Sequence, residues 1–266
     1  MTTNAASYLF ADDERERLQA AEEFLDEGTI RHIQEIGIGP GARCLEVGAG
    51  GGSIARWLVS QVGPDGHVVA TDINVNALTL RALPANLEIR QHDIVREPLE
   101  EDTFDLVHAR LVLEHLPERE QALQKMARAL RPGGWVLIED MDHVSTVAVS
   151  ELGADEHERT TAIRLREFAK TGFDQALGRK LPAHLRAQGL INVGNEGRVF
   201  VTEGGSPGAR WLQLSLKHLR PRLVGPDKLS DAELDRMLEL IENPAWSAMG
   251  GITMAAWGQR PPKPVG

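Results

Sequence analysis

The fold of this chain is decided by the stretch Leu45-Glu46-Val47-Gly48-Ala49-Gly50-Gly51-Gly52. The stretch joins a strand-like run, residues 42–47, to a helical pattern in which Ile54, Leu58 and Val62 recur every four residues. It therefore predicts a strand, a tight glycine turn and a helix. Glycine suits such a turn because a Cβ atom would block a ligand from the backbone amides or forbid a positive φ. We expect a nucleotide or nucleoside to bind here.

Three interpretations of the glycines are open. Gly50, Gly52 and Ala55 fit the spacing of a dinucleotide-binding turn, which favours a nicotinamide-dependent oxidoreductase. Glu46 stands two residues before the first glycine, in the order Glu-x-Gly-x-Gly-x-Gly. That order resembles motif I of the class I S-adenosylmethionine-dependent methyltransferases. The third interpretation is an ordinary turn whose glycines let the helix pack closely on the sheet.

An acidic residue ends the second predicted strand. This strand, residues 67–72, finishes at Asp72, about 20 residues beyond the glycines, which is the usual offset of a ribose-binding acid. A carboxylate there can accept hydrogen bonds from both ribose hydroxyls. The alternative is that Asp72 caps the helix predicted from residue 74. We prefer the ribose role because of the glycine turn upstream.

A second acid, Asp93, follows the third predicted strand, residues 87–91. Its carboxylate can accept a hydrogen bond from the exocyclic amine of an adenine, and Ile73 and Ile94 would pack on the two faces of the ring. Taken alone, Asp93 is more simply a surface-turn residue. An ordered series of acids at the ends of three successive strands favours the adenine role.

The resemblance to this methyltransferase family becomes specific after the fourth predicted strand. Residues 104–117 and 129–140 are similar to the fourth and fifth motif regions of its small-molecule members, those of the ubiquinone/menaquinone and natural-product type. Residues 43–142 follow the order of the family throughout. The resemblance implies a methyltransferase that uses S-adenosyl-L-methionine as its cofactor.

The resemblance also assigns residues to that cofactor. The residues predicted in this way are Glu46, Gly48 and Gly50 at the methionine part, Asp72 at the ribose, and Ile73, Asp93 and Ile94 at the adenine. Tyr8, Ala109 and Arg110 are further candidates for closing over the methionine end. Tyr8, the one tyrosine of the chain, could instead be a hydrophobic anchor.

Methyl transfer from a sulfonium is an in-line displacement, so the protein must align the reactants, exclude water and remove a proton where the nucleophile carries one. His115 follows the fourth strand and Asp140 ends the fifth, and ligands of an open parallel sheet lie beyond such strand ends. By resemblance both positions line the acceptor site, so we predict them as catalytic residues. A capping histidine and a supporting acid are the alternatives. We expect no metal, because the nine histidines form no His-x-x-x-His or His-Glu-x-x-His pattern.

The amino-acid composition of the chain limits the kinds of molecule that we expect it to bind. A net charge of −10 and a pI near 5.4 argue against a nucleic-acid substrate. No apolar run reaches the roughly 18 residues that a membrane span needs, and the N-terminus lacks a basic region followed by an apolar core. We therefore expect a cytoplasmic protein with a small-molecule acceptor. Cys44 is the one cysteine, so no intrachain disulfide is expected, and the sequence contains no signal for an oligomeric state.

We predict an α/β fold with a Rossmann-like, seven-stranded mixed sheet and helices on both faces. Residues 1–40 would form an N-terminal helical cap of two helices divided at Gly28 and Thr29. Residues 41–145 would form the S-adenosylmethionine-binding core. Residues 146–266 would complete that core within a single domain and add helical insertions over the substrate, chiefly between the sixth and seventh strands.

The predicted function is methyl transfer to a small, largely apolar molecule. This acceptor class follows from cap segments rich in large apolar side chains, some of which would face an enclosed site while most form the core of the cap. Two alternatives stay open. One is a nicotinamide-dependent oxidoreductase, and the other is a cofactor-binding relative, cyclase-like or regulatory, that transfers no methyl group.

Overall fold

The computed structural model describes residues 15–78 and 84–263 of the chain. Its strands are β1 (Arg43–Val47), β2 (His67–Asp72), β3 (Leu87–Gln91), β4 (Phe104–Arg110), β5 (Leu130–Asp142), β6 (Val147–Ala148), β7 (Ile191–Arg198), β8 (Val201–Glu203), β9 (Ser247–Met249) and β10 (Ile252–Gln259). Its α-helices are α1 (Arg15–Ile36), α2 (Ser53–Val62), α3 (Arg119–Ala129), α4 (Ala154–Ala169), α5 (Leu177–Ala187), α6 (Pro207–Leu223) and α7 (Asp231–Glu242).

Seven strands form the central sheet, in the order β3-β2-β1-β4-β5-β10-β7. The first five run parallel, and β10 lies antiparallel to both β5 and β7. The parallel strands are short runs of apolar residues because both of their faces are covered by helices. The predicted fold, a seven-stranded mixed sheet with helices on both faces, is confirmed.

Alternate side chains along the strands supply two separate cores. On one face Cys44 and Leu106 pack with Ile33 of α1 and Leu58 of α2. On the other face the neighbouring strand residues, such as Leu45 and Val107, pack with residues of α3 and α5. Among the described residues, no helix is long and apolar enough to cross a membrane.

The prediction of two N-terminal helices is wrong, because α1 runs unbroken from Arg15 to Ile36. Gly28 does not end a helix. The guanidinium group of Arg198 occupies the space where a Cβ of residue 28 would lie. Thr29 does not cap a helix either, since its side chain is buried and donates a hydrogen bond to Glu139 on β5. Both residues serve the packing of α1 against the sheet.

Three other element boundaries differ from the predictions. The helix expected from residue 74 begins as a single turn, Val75–Ala77. The sequence predicts the fifth strand over residues 135–139, but β5 starts at Leu130, and its register against β4 shifts before Trp135. The sequence also predicts residues 199–201 in the sixth strand, but Val201 belongs to β8, in a second sheet of three strands with the order β6-β9-β8.

The segments that follow β5 build a lobe over the carboxyl ends of the parallel strands. We call it the cap lobe and define it as β6, α4, β8, α6, α7 and β9. Its core is a third apolar cluster, which includes Phe168 on α4, Leu216 on α6 and Leu234 on α7. Helix α1 contacts α6 and so connects this lobe to the sheet. The long insertion expected between the last two sheet strands contains α6 and α7.

Candidate active site

A cavity of about 290 Å³ lies between the carboxyl edge of the sheet and the cap lobe. One part, the turn half, is lined by residues that follow β1, β2 and β3. The other part, the cap half, is lined by residues of the cap lobe and of the segments after β4 and β5. The residues lining the turn half include Glu46, Gly48, Gly50, Asp72, Ile73, His92 and Ile94. Those lining the cap half include His115, His143, His157, Arg164, Phe168, Trp211 and Trp246.

The glycine turn forms one wall of the turn half. Gly48, Gly50 and Gly52 have φ values of 70°, 55° and 81°, in the left-handed region that favours glycine. A Cβ atom on Gly48 would also overlap the side chain of Val112, which lines the same cavity. These glycines therefore fix the turn and leave space beside it. Helix α1 lies across the turn, where Glu22 accepts a hydrogen bond from the backbone N–H of Ser53.

Asp72 lies at the end of β2 beside this turn. Its Oδ2 accepts a hydrogen bond from the N–H of Gly50 at 2.9 Å, and its Oδ1 accepts one from the N–H of Asn74 at 3.0 Å. Asn74, and not Asp72, caps the short turn that follows. Burial raises the pKa of Asp72, while the backbone donors oppose that rise. The carboxylate is thus held in one orientation at the cavity wall.

Some predicted cofactor residues lie away from the cavity surface. Asp93 accepts hydrogen bonds from the N–H groups of Val95 and Arg96, which is the geometry of a local turn, and its neighbours His92 and Ile94 line the cavity instead. Ala109 is fully buried within β4. Tyr8 lies outside the described residues.

Beneath the turn half, Glu46 belongs to a buried group of charged side chains. His108 on β4 is the register neighbour of Glu46, and its Nδ1 lies 2.7 Å from a Glu46 carboxylate oxygen. Its Nε2 lies 3.3 Å from Oε2 of Glu139 on β5. Burial alone would lower the pKa of His108, but the two carboxylates raise it to about 9. His108 is therefore a buried imidazolium at neutral pH.

Helix α1 completes this group of side chains. The Nδ1 of His32 lies 3.0 Å from Oε1 of Glu139, and Thr29 donates to the other oxygen of the same carboxylate. Although burial opposes its ionisation, hydrogen bonds from His108 and His32 hold the pKa of Glu139 below its usual range. Arg110, which lines the cavity, donates to Thr29 at 2.9 Å and to Asp26 at 2.8 Å. These contacts tie α1 to the sheet directly below the cavity.

In the cap half, Glu114 links two histidines of the cavity wall. Its Oε1 lies 3.5 Å from Nε2 of His115, and its Oε2 lies 3.5 Å from Nε2 of His143. Burial lowers the pKa of His115, although the Glu114 carboxylate opposes that effect. His115 is consequently neutral at pH 7. Its ring and that of His143 both lie against Phe173, with ring centroids 5.2 Å and 5.3 Å away.

Asp140 lies behind this wall and is completely buried. Its Oδ1 accepts a hydrogen bond from the N–H of Glu114 at 3.4 Å. Burial, reinforced by the Glu114 carboxylate, raises the pKa of Asp140 well above its usual range. Asp140 is not among the residues that line the cavity, so the structure places it under the loop that contains Glu114 and His115.

Two buried residues of the site, His108 and Glu139, lie outside the predicted set although the sequence contains a signal for them. His108 and Glu139 interrupt two apolar strands of a parallel sheet, and a charged residue in such a strand requires a partner. His143, His157 and Arg164 have no comparable signal in the sequence, because they reach the cavity only through tertiary contacts of the cap lobe and of the segment after β5. Within residues 15–78 and 84–263, no three His, Cys, Asp or Glu side chains are grouped so that they could hold a metal ion.

Comparison with known proteins places this fold among methyltransferases. Residues 45–138 match the family described as "Methyltransferase domain". Methyltransferase str2 of Strobilurus tenacellus is 30% identical over 185 residues, which cover 68% of this chain and 65% of the relative. The ubiquinone/menaquinone biosynthesis C-methyltransferase UbiE of Ectopseudomonas mendocina is 34% identical over 113 residues, which cover 40% of this chain and 44% of the relative. The chain thus spans less than two thirds of the length of these relatives.

Solved structures share the fold at low sequence identity. Haemonchus contortus phosphoethanolamine N-methyltransferase 2, in complex with phosphomonomethylethanolamine and S-adenosylhomocysteine, is 17% identical with a TM-score of 0.57, covering 92% of this chain and 57% of that protein. The [4+2]-cyclase SpnF is 19% identical with a TM-score of 0.51, covering 96% of this chain and 86% of that protein. These structures support the fold, and the domain match over residues 45–138 agrees with the resemblance expected from the sequence.

Proposed function

We propose that this protein, whose residues 45–138 match the family described as "Methyltransferase domain", is a class I enzyme that transfers a methyl group from S-adenosylmethionine to a small molecule. The observation that carries the proposal is the continuity of one cavity from the glycine turn and Asp72 to the enclosed cap half with His115. Cofactor and acceptor would meet where the two halves join. The acceptor is a small molecule with a largely apolar body, because aromatic side chains of the cap lobe line its half.

The residues of the turn half fit S-adenosylmethionine. The Asp72 carboxylate, already oriented by two backbone amides, is available to the ribose hydroxyls. Ile73 and Ile94 present apolar surface to the adenine, while Glu46, Gly48 and the rest of the glycine turn lie where the methionine part would bind. When bound, the cofactor supplies an electrophilic methyl group on a sulfonium.

The residues of the cap half have three tasks. The cap lobe encloses the acceptor and so excludes water, which strengthens the electrostatic interactions inside. Its walls align the nucleophilic atom with the methyl group, and such alignment can account for most of the rate enhancement. His115 accepts the proton of the acceptor, since it is neutral at pH 7 and lines the cavity. Asp140 is a positioning residue that fixes the loop containing Glu114 and His115.

We predict that Asp72→Ala weakens the binding of S-adenosylhomocysteine by about tenfold or more, because two charge-assisted hydrogen bonds worth roughly 1.5 to 3 kcal/mol are lost. Isothermal titration calorimetry measures the change directly. The matched control is Asp65→Ala, since Asp65 is an exposed turn residue between α2 and β2. Unchanged affinity in Asp72→Ala, with the thermal midpoint of unfolding also unchanged, would return Asp72 to a purely structural role beside Gly50.

The reaction itself is tested by turnover. Release of S-adenosylhomocysteine should depend on an added acceptor when the enzyme is supplied with S-adenosylmethionine and a panel of small molecules. The likeness of the fold to the [4+2]-cyclase SpnF favours one second candidate, a cofactor-binding protein that transfers no methyl group. That candidate predicts tight binding of S-adenosylhomocysteine without any acceptor-dependent release of it.

A further inference from the structure

A partly buried arginine in the cap half has no ion-pair partner among the residues that the structure describes. Arg164 lines the cavity from α4, and its Nε is buried without a hydrogen-bond partner among the described residues. The same part of the chain supplies no carboxylate within ion-pair distance of its guanidinium group. An arginine that is withdrawn from water usually has an anionic partner, because an unpaired charge loses favourable hydration when it is buried.

Among the described residues, Glu114 is the acid whose charge affects the pKa of Arg164. That carboxylate already accepts a hydrogen bond from the N–H of Met141 at 2.9 Å and lies 3.5 Å from both His115 and His143. Burial lowers the pKa of Arg164 to about 10, with Glu114 opposing the change, so the guanidinium is still charged at neutral pH. Within the described part of the chain, its charge is therefore not neutralised by an ion pair.

Other polar atoms face the same part of the cavity. His157 and Arg164 stand seven residues apart on α4, which places both side chains on one face of the helix. Burial, followed by the nearby Arg164 charge, lowers the pKa of His157 to about 4, so this histidine adds no second charge. Atoms of this lining that are buried without a hydrogen-bond partner among the described residues include Thr146 Oγ1, His157 Nε2, Arg164 Nε and Trp211 Nε1.

We propose that Arg164 binds an anionic group of the acceptor, and that this group is a carboxylate. A guanidinium presents parallel N–H donors that match the two oxygens of a carboxylate. One uncompensated positive charge fits a monoanion better than a dianion such as a phosphate ester. The neighbouring hydroxyl, imidazole and indole groups supply further hydrogen bonds to the acceptor. The inference rests on the proposed function in one respect, since it places the acceptor in the cap half.

The test compares benzoate with its neutral isostere benzamide as ligands for the wild-type protein, at constant ionic strength and in the presence of S-adenosylhomocysteine. A ligand that binds the folded state raises the midpoint of thermal unfolding, and at equal concentration the tighter ligand raises it more. Benzoate is expected to stabilise the wild-type protein more than benzamide. In Arg164→Gln the benzoate affinity should fall by about tenfold or more, which removes the difference between the two ligands.

The control variant is Arg166→Gln on the same helix. Arg166 is half exposed and donates to the backbone oxygen of Asp227, so the preference for benzoate should persist in this variant. Without any ligand, Arg164→Gln should be at least as stable as the wild-type protein, because a partly buried charge without an ion-pair partner has been removed. This measurement also shows directly whether the variant folds.

Three outcomes would overturn the inference. They are equal stabilisation of the wild-type protein by benzoate and benzamide, a preference for benzoate that survives in Arg164→Gln, and a larger Arg164-dependent effect of phenyl phosphate than of benzoate. Failure of the proposed function would be visible separately. In that case S-adenosylhomocysteine would not bind in calorimetry, whatever the anions do.

Discussion

His108→Gln is expected to lower the free energy of unfolding by about 3 to 5 kcal/mol at pH 6, because removal of one partner leaves the others as buried, unpaired charges. His108 lies between the carboxylates of Glu46 and Glu139, at 2.7 Å and 3.3 Å. All three side chains are almost completely buried. Glutamine is similar to histidine in size and can still form hydrogen bonds. The loss of the positive charge therefore dominates the change in the free energy of unfolding.

The stabilisation by His108 should depend on pH in a definite direction. The pKa of His108 rises from 6.5 in the unfolded chain to about 9 in the folded protein, which corresponds to about 3 kcal/mol. The folded state therefore binds more protons between these two values. The contribution is fully present below pH 6.5 and is lost as the pH rises through 9. The depressed pKa of Glu139 acts oppositely, so its contribution is lost as the pH falls below about 4.5.

Urea unfolding of the wild-type protein and of His108→Gln between pH 6 and pH 10 measures this difference. The gap between the two proteins should shrink as the pH rises across that range. His67→Gln is the matched control, because His67 is about one third exposed and lies 3.8 Å from Glu88 at the surface. Its effect should stay within about 0.5 kcal/mol. A gap between wild type and His108→Gln that does not change with pH would show that His108 is uncharged in the folded protein.

His115→Ala is expected to reduce the rate of methyl transfer by roughly 10²-fold or more, since a positioned general base contributes about that much. Burial lowers the pKa of His115, so its neutral form persists below the ordinary histidine range. The wild-type rate should consequently show an acid limb with a midpoint below about 6.5, the value for an unperturbed histidine. This limb should be absent in the variant.

The measurement is the pH profile of S-adenosylhomocysteine release with an acceptor identified in the turnover panel. His184→Ala is the control, because His184 lies on α5 and pairs with Glu120 at the surface. Asp140→Asn separates positioning from chemistry: it should lower the rate without abolishing the acid limb. Full activity of both His115→Ala and Asp140→Asn would mean that alignment of the reactants alone drives the transfer.

The central sheet could be predicted because its strands are short apolar runs bounded by turn residues. The apolar run of residues 104–109 predicts the fourth strand, and β4 extends it by a single residue, Arg110. The prediction of a mixed sheet is also confirmed, since β10 lies antiparallel to β5 and β7 despite the insertion of α6 and α7 before it. Local periodicity specifies these elements, and the resemblance of residues 43–142 to a known family specifies their order.

Contacts between distant segments could not be predicted in the same way. Gly28 and Thr29 have the composition of a helix boundary, yet Thr29 contacts Glu139, a residue 110 positions later in the chain. Gly28 and Thr29 interrupt the helical sequence pattern because Thr29 contacts Glu139 and because the guanidinium group of Arg198 lies against Gly28. Tertiary packing here overrides local propensity.

The candidate site likewise contains some residues that the sequence could predict and others that it could not. Glu46, Gly48, Gly50 and Asp72 line the cavity because the glycine turn and the next strand end are adjacent in any such fold. Asp93 follows the same pattern in sequence, but two backbone amides of its own turn bind its carboxylate. Nothing in the spacing of α4 distinguishes Arg164 from an exposed arginine.

The central claim, that the turn half binds S-adenosylmethionine, is tested most directly by titrating the wild-type protein with S-adenosylhomocysteine and separately with NADH in a calorimeter. We predict saturable binding of one S-adenosylhomocysteine per chain, weakened in Asp72→Ala and unchanged in Asp65→Ala, and no binding of NADH. Saturable binding of NADH without any binding of S-adenosylhomocysteine would contradict the claim and establish the nicotinamide interpretation of Gly50, Gly52 and Ala55.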